Sequence, residues 1–119
     1  MKEKTAEDNI NICPLNYALD LIGGKWRLQI IWALSQSDTL RYNELKRKIA
    51  GITNMMLSQS LKDMESYGII NRKQYMEIPP KVEYSLTEDG KELITSLISL
   101  ARWGKHMKNR NIHNAGNEI

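Results

Sequence analysis

The sequence predicts one mostly helical α+β domain, in the order helix, helix, short strand, helix, helix, hairpin, long helix. Three observations predict it. From Ile52 to Tyr67 the apolar residues Leu57, Leu61 and Met64 recur at i, i+4, i+7, between a capping Thr53 and a stopping Gly68, which defines a helix with physical ends. Beyond Gly68 the period falls from 3.6 to 2 on both sides of Pro79-Pro80, which reads as a hairpin. After Thr87 two neighbouring apolar stripes, Leu93, Leu97, Leu100, Trp103 and Ile94, Ile98, Ala101, describe a helix too apolar for one packing partner. At 119 residues and 13.8 kDa the chain holds one domain with a core, not two.

In chain order, residues 1–11 are charged and without period, and are expected to be a mobile arm before a domain at 12–107. Pro14 suits the first turn of a helix carrying Leu15, Tyr17, Ala18, Leu19, Leu21 and Ile22 up to Gly23-Gly24. That helix is apolar almost all round, so one side is expected to meet a second subunit. Trp26, Leu28, Ile30, Ile31, Ala33 and Leu34 make the next helix the central core element. Thr39 to Arg41 fits a very short strand. Asn43 is placed to cap a third helix, with Leu45 and Ile49 inward and Lys46, Arg47 and Lys48 outward, closed by Ala50-Gly51. The helix at Ile52–Tyr67 follows after a short turn, and this is the layout of a helix-turn-helix. The hairpin beside it, stiffened by two prolines and with Lys73 and Lys81 near its tip, has the character of a wing. Thr87 caps the last helix, Glu88 and Asp89 sit in its first turn where the dipole favours them, and residues 108–119 read as a frayed or disordered tail.

The charge distribution points to a partner. The whole chain carries +3 with a pI near 9.0, while Thr39 to Lys81 alone holds eight basic residues against four acidic ones. A phosphate-rich partner is drawn to that middle segment. The outward face of the Ile52–Tyr67 helix, with Met55, Ser58, Gln59, Lys62 and Ser66, lacks the Glu/Lys mixture of a solvated face. If this helix enters a major groove by its N-terminus, Thr53, Asn54, Met55, Ser58 and Gln59 lie near base edges and Lys62 meets phosphate. Gln59 is the best base reader by chemistry, because its amide matches adenine N6 and N7. Arg41, Asn43, Lys73 and Lys81 are phosphate-contact candidates, against the plainer reading of generic surface charge. The partner implied is double-stranded DNA; the alternative is a winged-helix protein-interaction module without base readout.

Other classes find little support. A single cysteine, Cys13, allows no internal disulfide and no cysteine-based metal cluster. His106 and His113 have no ligand partner at metal-binding spacing, so no metal and no cofactor are expected. There is no phosphate-binding glycine loop, no nucleophile paired with a base and no pair of acids placed for hydrolysis, which argues against an enzyme. No apolar run reaches membrane-spanning or signal-peptide length, so no membrane partner and a cytoplasmic location are expected.

The segments CPLNYALDLIGGKW, RYNELKRKIAGIT, MMLSQSLKDMESYGIINR and PPKVEYSLTEDGKEL together resemble the HxlR-type winged helix-turn-helix regulators, a bacterial and archaeal family similar in architecture to the MarR regulators. The likeness runs from Cys13 to about Trp103, and is most specific at Ile22-Gly23-Gly24-Lys25-Trp26 and Glu83-Tyr84-Ser85-Leu86-Thr87. It implies a homodimer on an inverted-repeat operator that regulates transcription, with an interface drawn from Ile12, Leu15, Tyr17 and Leu21 of the first helix and Leu93, Leu97, Leu100 and Trp103 of the last. Repression is the expected sign, since a compact dimer over a promoter blocks polymerase unaided. Met55 departs from relatives that place a basic or long polar side chain there; it can touch a thymine methyl but not pair with guanine. Cys13-Pro14 matches the position at which some members sense oxidants or electrophiles, which implies a small-molecule or thiol-reactive effector. With no second cysteine, the product would be an adduct, a sulfenic acid or a disulfide between subunits. The competing reading makes Cys13 a small buried apolar residue.

Overall fold

Pro14 takes the first turn of α1 (Pro14–Ile22), where its missing N–H is no loss, and the chain leaves that helix at Gly23. The computed structural model describes the backbone of residues 13–117 and the side chains of 13–112; the expected mobile arm and Ile12 lie outside the described residues. None of the α1 side chains is buried. α2 (Arg27–Ser35) has the opposite character: Ile30, Ile31, Ala33 and Leu34 are all buried, and the helix runs through the middle of the core as its composition predicts.

α3 (Tyr42–Lys48) begins earlier than the sequence suggests. Its N-cap is Arg41, not Asn43, because the Glu44 carboxylate reaches back to accept the Arg41 backbone N–H at 3.0 Å. Asn43 therefore lies within the first turn. The predicted short strand reduces to a single bridge, in which Leu40 and Tyr84 exchange backbone hydrogen bonds of 2.9 and 2.8 Å. That bridge fastens the hairpin to the segment leading into α3.

α4 (Asn54–Ser66) has the predicted ends. Thr53 Oγ1 accepts the Met56 N–H at 3.1 Å, and Gly68, at φ +79°, takes the left-handed turn that releases the chain towards the sheet. β1 (Ile70–Tyr75) and β2 (Lys81–Leu86) then pair antiparallel, Ile70 against Leu86 and Tyr75 against Lys81. Thr87 Oγ1 accepts the Gly90 N–H at 3.0 Å and so caps α5 (Glu88–Asn117). Gly90 is required by contact: a Cβ there would overlap the Ile69 carbonyl, where α5 crosses the start of β1.

One core holds these elements together: Ile30, Ile31 and Leu34 from α2, Leu45 from α3, Leu57, Leu61 and Met64 from α4, Ile70 and Leu86 from the hairpin, and Leu97 from α5. The expected frayed tail from residue 108 is instead helical to Asn117. No proline interrupts that stretch, and Gly104, at a cost of about 1 kcal/mol, does not end a helix that has already propagated. Of the two apolar stripes of α5, Leu93, Ile94 and Leu97 pack on the core, whereas Ile98, Leu100 and Trp103 are 40%, 50% and 61% exposed, so both stripes are covered at the start of the helix and open beyond it.

Leu57→Ala should lower the unfolding free energy by roughly 3 kcal/mol, as expected for a fully buried leucine, while Met55→Ala should change it by less than about 0.5 kcal/mol. Urea denaturation measures both, and equal effects would contradict the orientation of α4.

Candidate nucleic-acid interface

Burial of Leu57, Leu61 and Met64 leaves Asn54, Met55, Ser58, Gln59 and Lys62 on the exposed side of α4, with Met55 81% exposed. Met56 and Tyr67, at the margins of the buried stripe, are about half exposed. Of the polar side chains on this face, three already have partners. The Tyr42 hydroxyl of α3 lies 3.1 Å from both the backbone oxygen and Oδ1 of Asn54 and 3.2 Å from Ser58 Oγ. Its single proton serves one Asn54 oxygen, and its lone pairs leave room for Ser58 to donate. Gln59 Nε2 donates to Asp63 Oδ1 at 2.9 Å, and Asp63 Oδ2 meets Arg27 at 2.9 Å. The face is thus partly pre-set by side chains from α2 and α3.

Positive charge collects on both flanks. Arg41, Asn43 and Arg47 line a shallow groove with Glu44 at the start of α3. Between α4 and the hairpin, Lys62 and Arg72, against the single acid Glu65, border a cleft shared with Tyr42, Ser58 and Tyr84. Arg72 was counted in the basic middle of the chain but not singled out; its place on the α4 side of β1 depends on the register with Tyr84.

The wing differs from its sequence reading. Lys81 is paired with Glu83 at 2.8 Å, and Tyr75 Oη donates to the same carboxylate at 3.2 Å. The hydrogen bond to Glu83 raises the Lys81 pKa, and the bond from Lys81 lowers that of Glu83. The Lys73 and Lys81 ammonium groups each lie 4.9 Å from the centre of the Tyr75 ring. Lys81 is therefore part of a cluster of two cations, one ring and one anion, not a solitary charge. The extreme tip presents Met76 and Ile78, both fully exposed.

Within the single chain Cys13 is exposed, at the N-cap of α1. The neighbouring backbone N–H groups of Asn16 and Leu15 lower the thiol pKa, against an opposing effect of burial. Among the interface candidates, Leu15 and Tyr17 are exposed with Leu100 and Trp103; Leu21 and Leu93 are partly buried against the core, and Leu97 is fully committed to it. Ile12 lies outside the described residues. Among the described residues no cluster of His, Cys, Asp or Glu is arranged to hold a metal, and no helix is long and apolar enough to cross a membrane.

Comparison with known proteins agrees with this geometry. Residues 21–112 match the model of the HxlR-like helix-turn-helix family. A helix-turn-helix-type transcriptional regulator of Halalkalibacterium halodurans, BH0655, is 47% identical over 103 residues, covering 87% of this chain and 89% of the relative. Among solved structures, the redox regulator HypR in its oxidized form is similar at a TM-score of 0.74 and 39% identity, over 79% of this chain and 96% of that one. The reduced form of the transcriptional regulator YodB from B. subtilis is similar at 0.69 and 33%, over 77% and 90%. An exposed helix face beside a basic two-stranded wing, on a chain this close to such regulators over most of its length, places the protein in the HxlR-like helix-turn-helix family of transcriptional regulators.

Proposed function

We propose that this regulator binds an inverted-repeat DNA operator as a homodimer in the cytoplasm, represses transcription from it, and responds to oxidants or electrophiles through Cys13. The observation that carries the reading is the pairing of an exposed α4 face with uncovered apolar side chains elsewhere. Leu15, Tyr17 and Leu19 on α1, and Leu100, Trp103 and Ile112 on α5, stand exposed and need a cover that the other described residues do not supply. A second copy supplies it symmetrically and sets two α4 helices about one turn of DNA apart. Thr53, Asn54, Met55, Ser58 and Gln59 then face bases, while Arg41, Asn43, Lys62 and the wing lysines Lys73 and Lys81 face phosphates. For Cys13, support comes from its exposure and lowered pKa, and from similarity to a protein described as a redox regulator.

Mobility shift of the DNA upstream of the protein's own gene tests the central claim, and three variants test its parts. Trp103→Glu should give a particle of one chain mass, 13.8 kDa, by light scattering where the parent gives twice that, with operator affinity reduced at least tenfold; a variant still fully dimeric would exclude this face. Glu83→Gln removes the anion that occupies Lys81, so it should strengthen DNA binding and steepen the plot of log K against log salt by up to about one unit. Lys81→Ala should flatten that plot by less than one unit, because its charge is already shared with Glu83; a slope unmoved by either variant would exclude the wing from the interface.

Cys13→Ser should abolish the loss of DNA affinity that peroxide or quinone causes in the parent. The thiolate is the reactive form and its pKa is lowered, so alkylation should speed up with rising pH and reach half its maximal rate below the pH of about 8.5 at which a free cysteine is half ionised. Identical responses in parent and variant would end the sensor assignment.

A further inference from the structure

Arg27 stands at the start of α2 and touches three other parts of the molecule. Its Nη1 donates to the backbone oxygens of Asp20 and Leu21 at 3.0 and 3.1 Å, the last carbonyls of α1. Its Nη2 meets Asp63 Oδ2 of α4 at 2.9 Å, and its guanidinium lies 5.5 Å from the centre of the Tyr67 ring. The other oxygen of Asp63 accepts from Gln59 Nε2 at 2.9 Å. A continuous polar path thus runs from the end of α1, through Arg27 and Asp63, to the side chain on α4 best suited to read a base. The pair is only 22% and 30% exposed, so solvent competes for it weakly compared with a pair on an open surface.

We infer that Arg27 and Asp63 are positioning residues that set the base preference of Gln59 and tie that preference to the placement of α1. The inference rests on the reading of α4 as the DNA-contacting helix. Its chemistry follows from counting donors. A free glutamine amide offers two N–H groups and a carbonyl. With one N–H spent on Asp63, it presents one donor and one acceptor, the pattern that matches adenine N7 and N6. Guanine offers two acceptors at the same edge, N7 and O6, and the tethered amide has a single donor left for them. Removing the tether frees the second N–H and the rotation of the amide, and the distinction between adenine and guanine weakens. Arg27 acts one step back: it neutralises Asp63, which otherwise brings a carboxylate towards phosphate, and it orients that carboxylate from a point fixed by α1. A shift of α1, whether from dimer rearrangement or from modification at Cys13, would move Arg27 and so alter base preference as well as the spacing of the two half-sites.

The test is a base-by-base binding profile, selected from a randomised duplex pool and then measured on single-substitution sites, for the full chain and its variants. Gln59→Ala identifies the base position that this side chain reads. At that position Asp63→Ala should reduce adenine-over-guanine discrimination by about tenfold, the scale of one good bidentate contact. Arg27→Met should reduce it severalfold, and Arg27→Lys and Asp63→Asn, each of which preserves one link of the path, should retain part of it. Preferences at the other positions should stay close to the parent, while affinity for non-specific duplex should rise in Asp63→Ala, which removes an anion, and fall in Arg27→Met, which leaves the Asp63 carboxylate uncompensated. Uniform loss at all positions would mean that the pair is merely structural and would overturn the inference. So would full discrimination in Asp63→Ala alongside its loss in Gln59→Ala, or an unchanged profile in Gln59→Ala; in both of those cases the DNA-binding role stands. A parent protein with no base preference at any position would instead overturn the proposed function itself.

Discussion

Everything on the exposed side of this molecule depends on the seating of three side chains. Leu57, Leu61 and Met64 are buried in the same core as Ile30, Ile31 and Leu34 of α2, and that contact fixes the rotation of α4 about its own axis. A helix with 3.6 residues per turn has little choice once three positions of one stripe are committed. Asn54, Met55, Ser58, Gln59 and Lys62 face outward because the stripe faces in. Polar contacts then refine what packing has set: Tyr42 meets Asn54 and Ser58, while Asp63 holds Gln59. Removal of these bonds would leave the helix seated and its outward side chains less ordered.

The helices and the hairpin were legible because their signals are local. Thr53 and Gly68 mark the ends of α4, Pro14 and Gly23 those of α1, and the change of period marks the hairpin. Contacts between elements were not legible in the same way. Tyr42 is twelve residues from Asn54 and sixteen from Ser58, and Arg27 is thirty-six from Asp63. No periodicity connects such pairs. The Gln59–Asp63 bond is the exception, since i,i+4 spacing on a helix places those two side chains together and could have been read in advance. The pairing of Lys81 with Glu83 could also have been anticipated, because alternate residues of one strand share a face.

Two expectations failed for physical reasons. Asn43 is a good capping residue by type, but Glu44 sits where its carboxylate accepts the backbone N–H of Arg41, and that contact starts α3 earlier. Composition suggested a frayed end to α5, yet a helix already under way extends through residues of moderate propensity more readily than it could have begun in them. The wing lesson is electrostatic. Basic residues near a tip read as free charge in sequence, whereas here Lys73 and Lys81 are gathered around Tyr75 and Lys81 is matched by Glu83, which leaves Met76 and Ile78 as the outermost side chains.

The length of α5 has a mechanical meaning. Thirty residues make a rod of about 45 Å, anchored near one end by Leu93, Ile94 and Leu97 and apolar again at Leu100, Trp103 and Ile112 beyond the core. A rod held in this way converts rotation into displacement: a tilt of about 5° at its root carries the far end through roughly 4 Å. From the far end the gain is the opposite: that end must travel roughly 4 Å to tilt the core end by about 5°, so α5 passes to the core only large rearrangements of its outer half and filters out small ones.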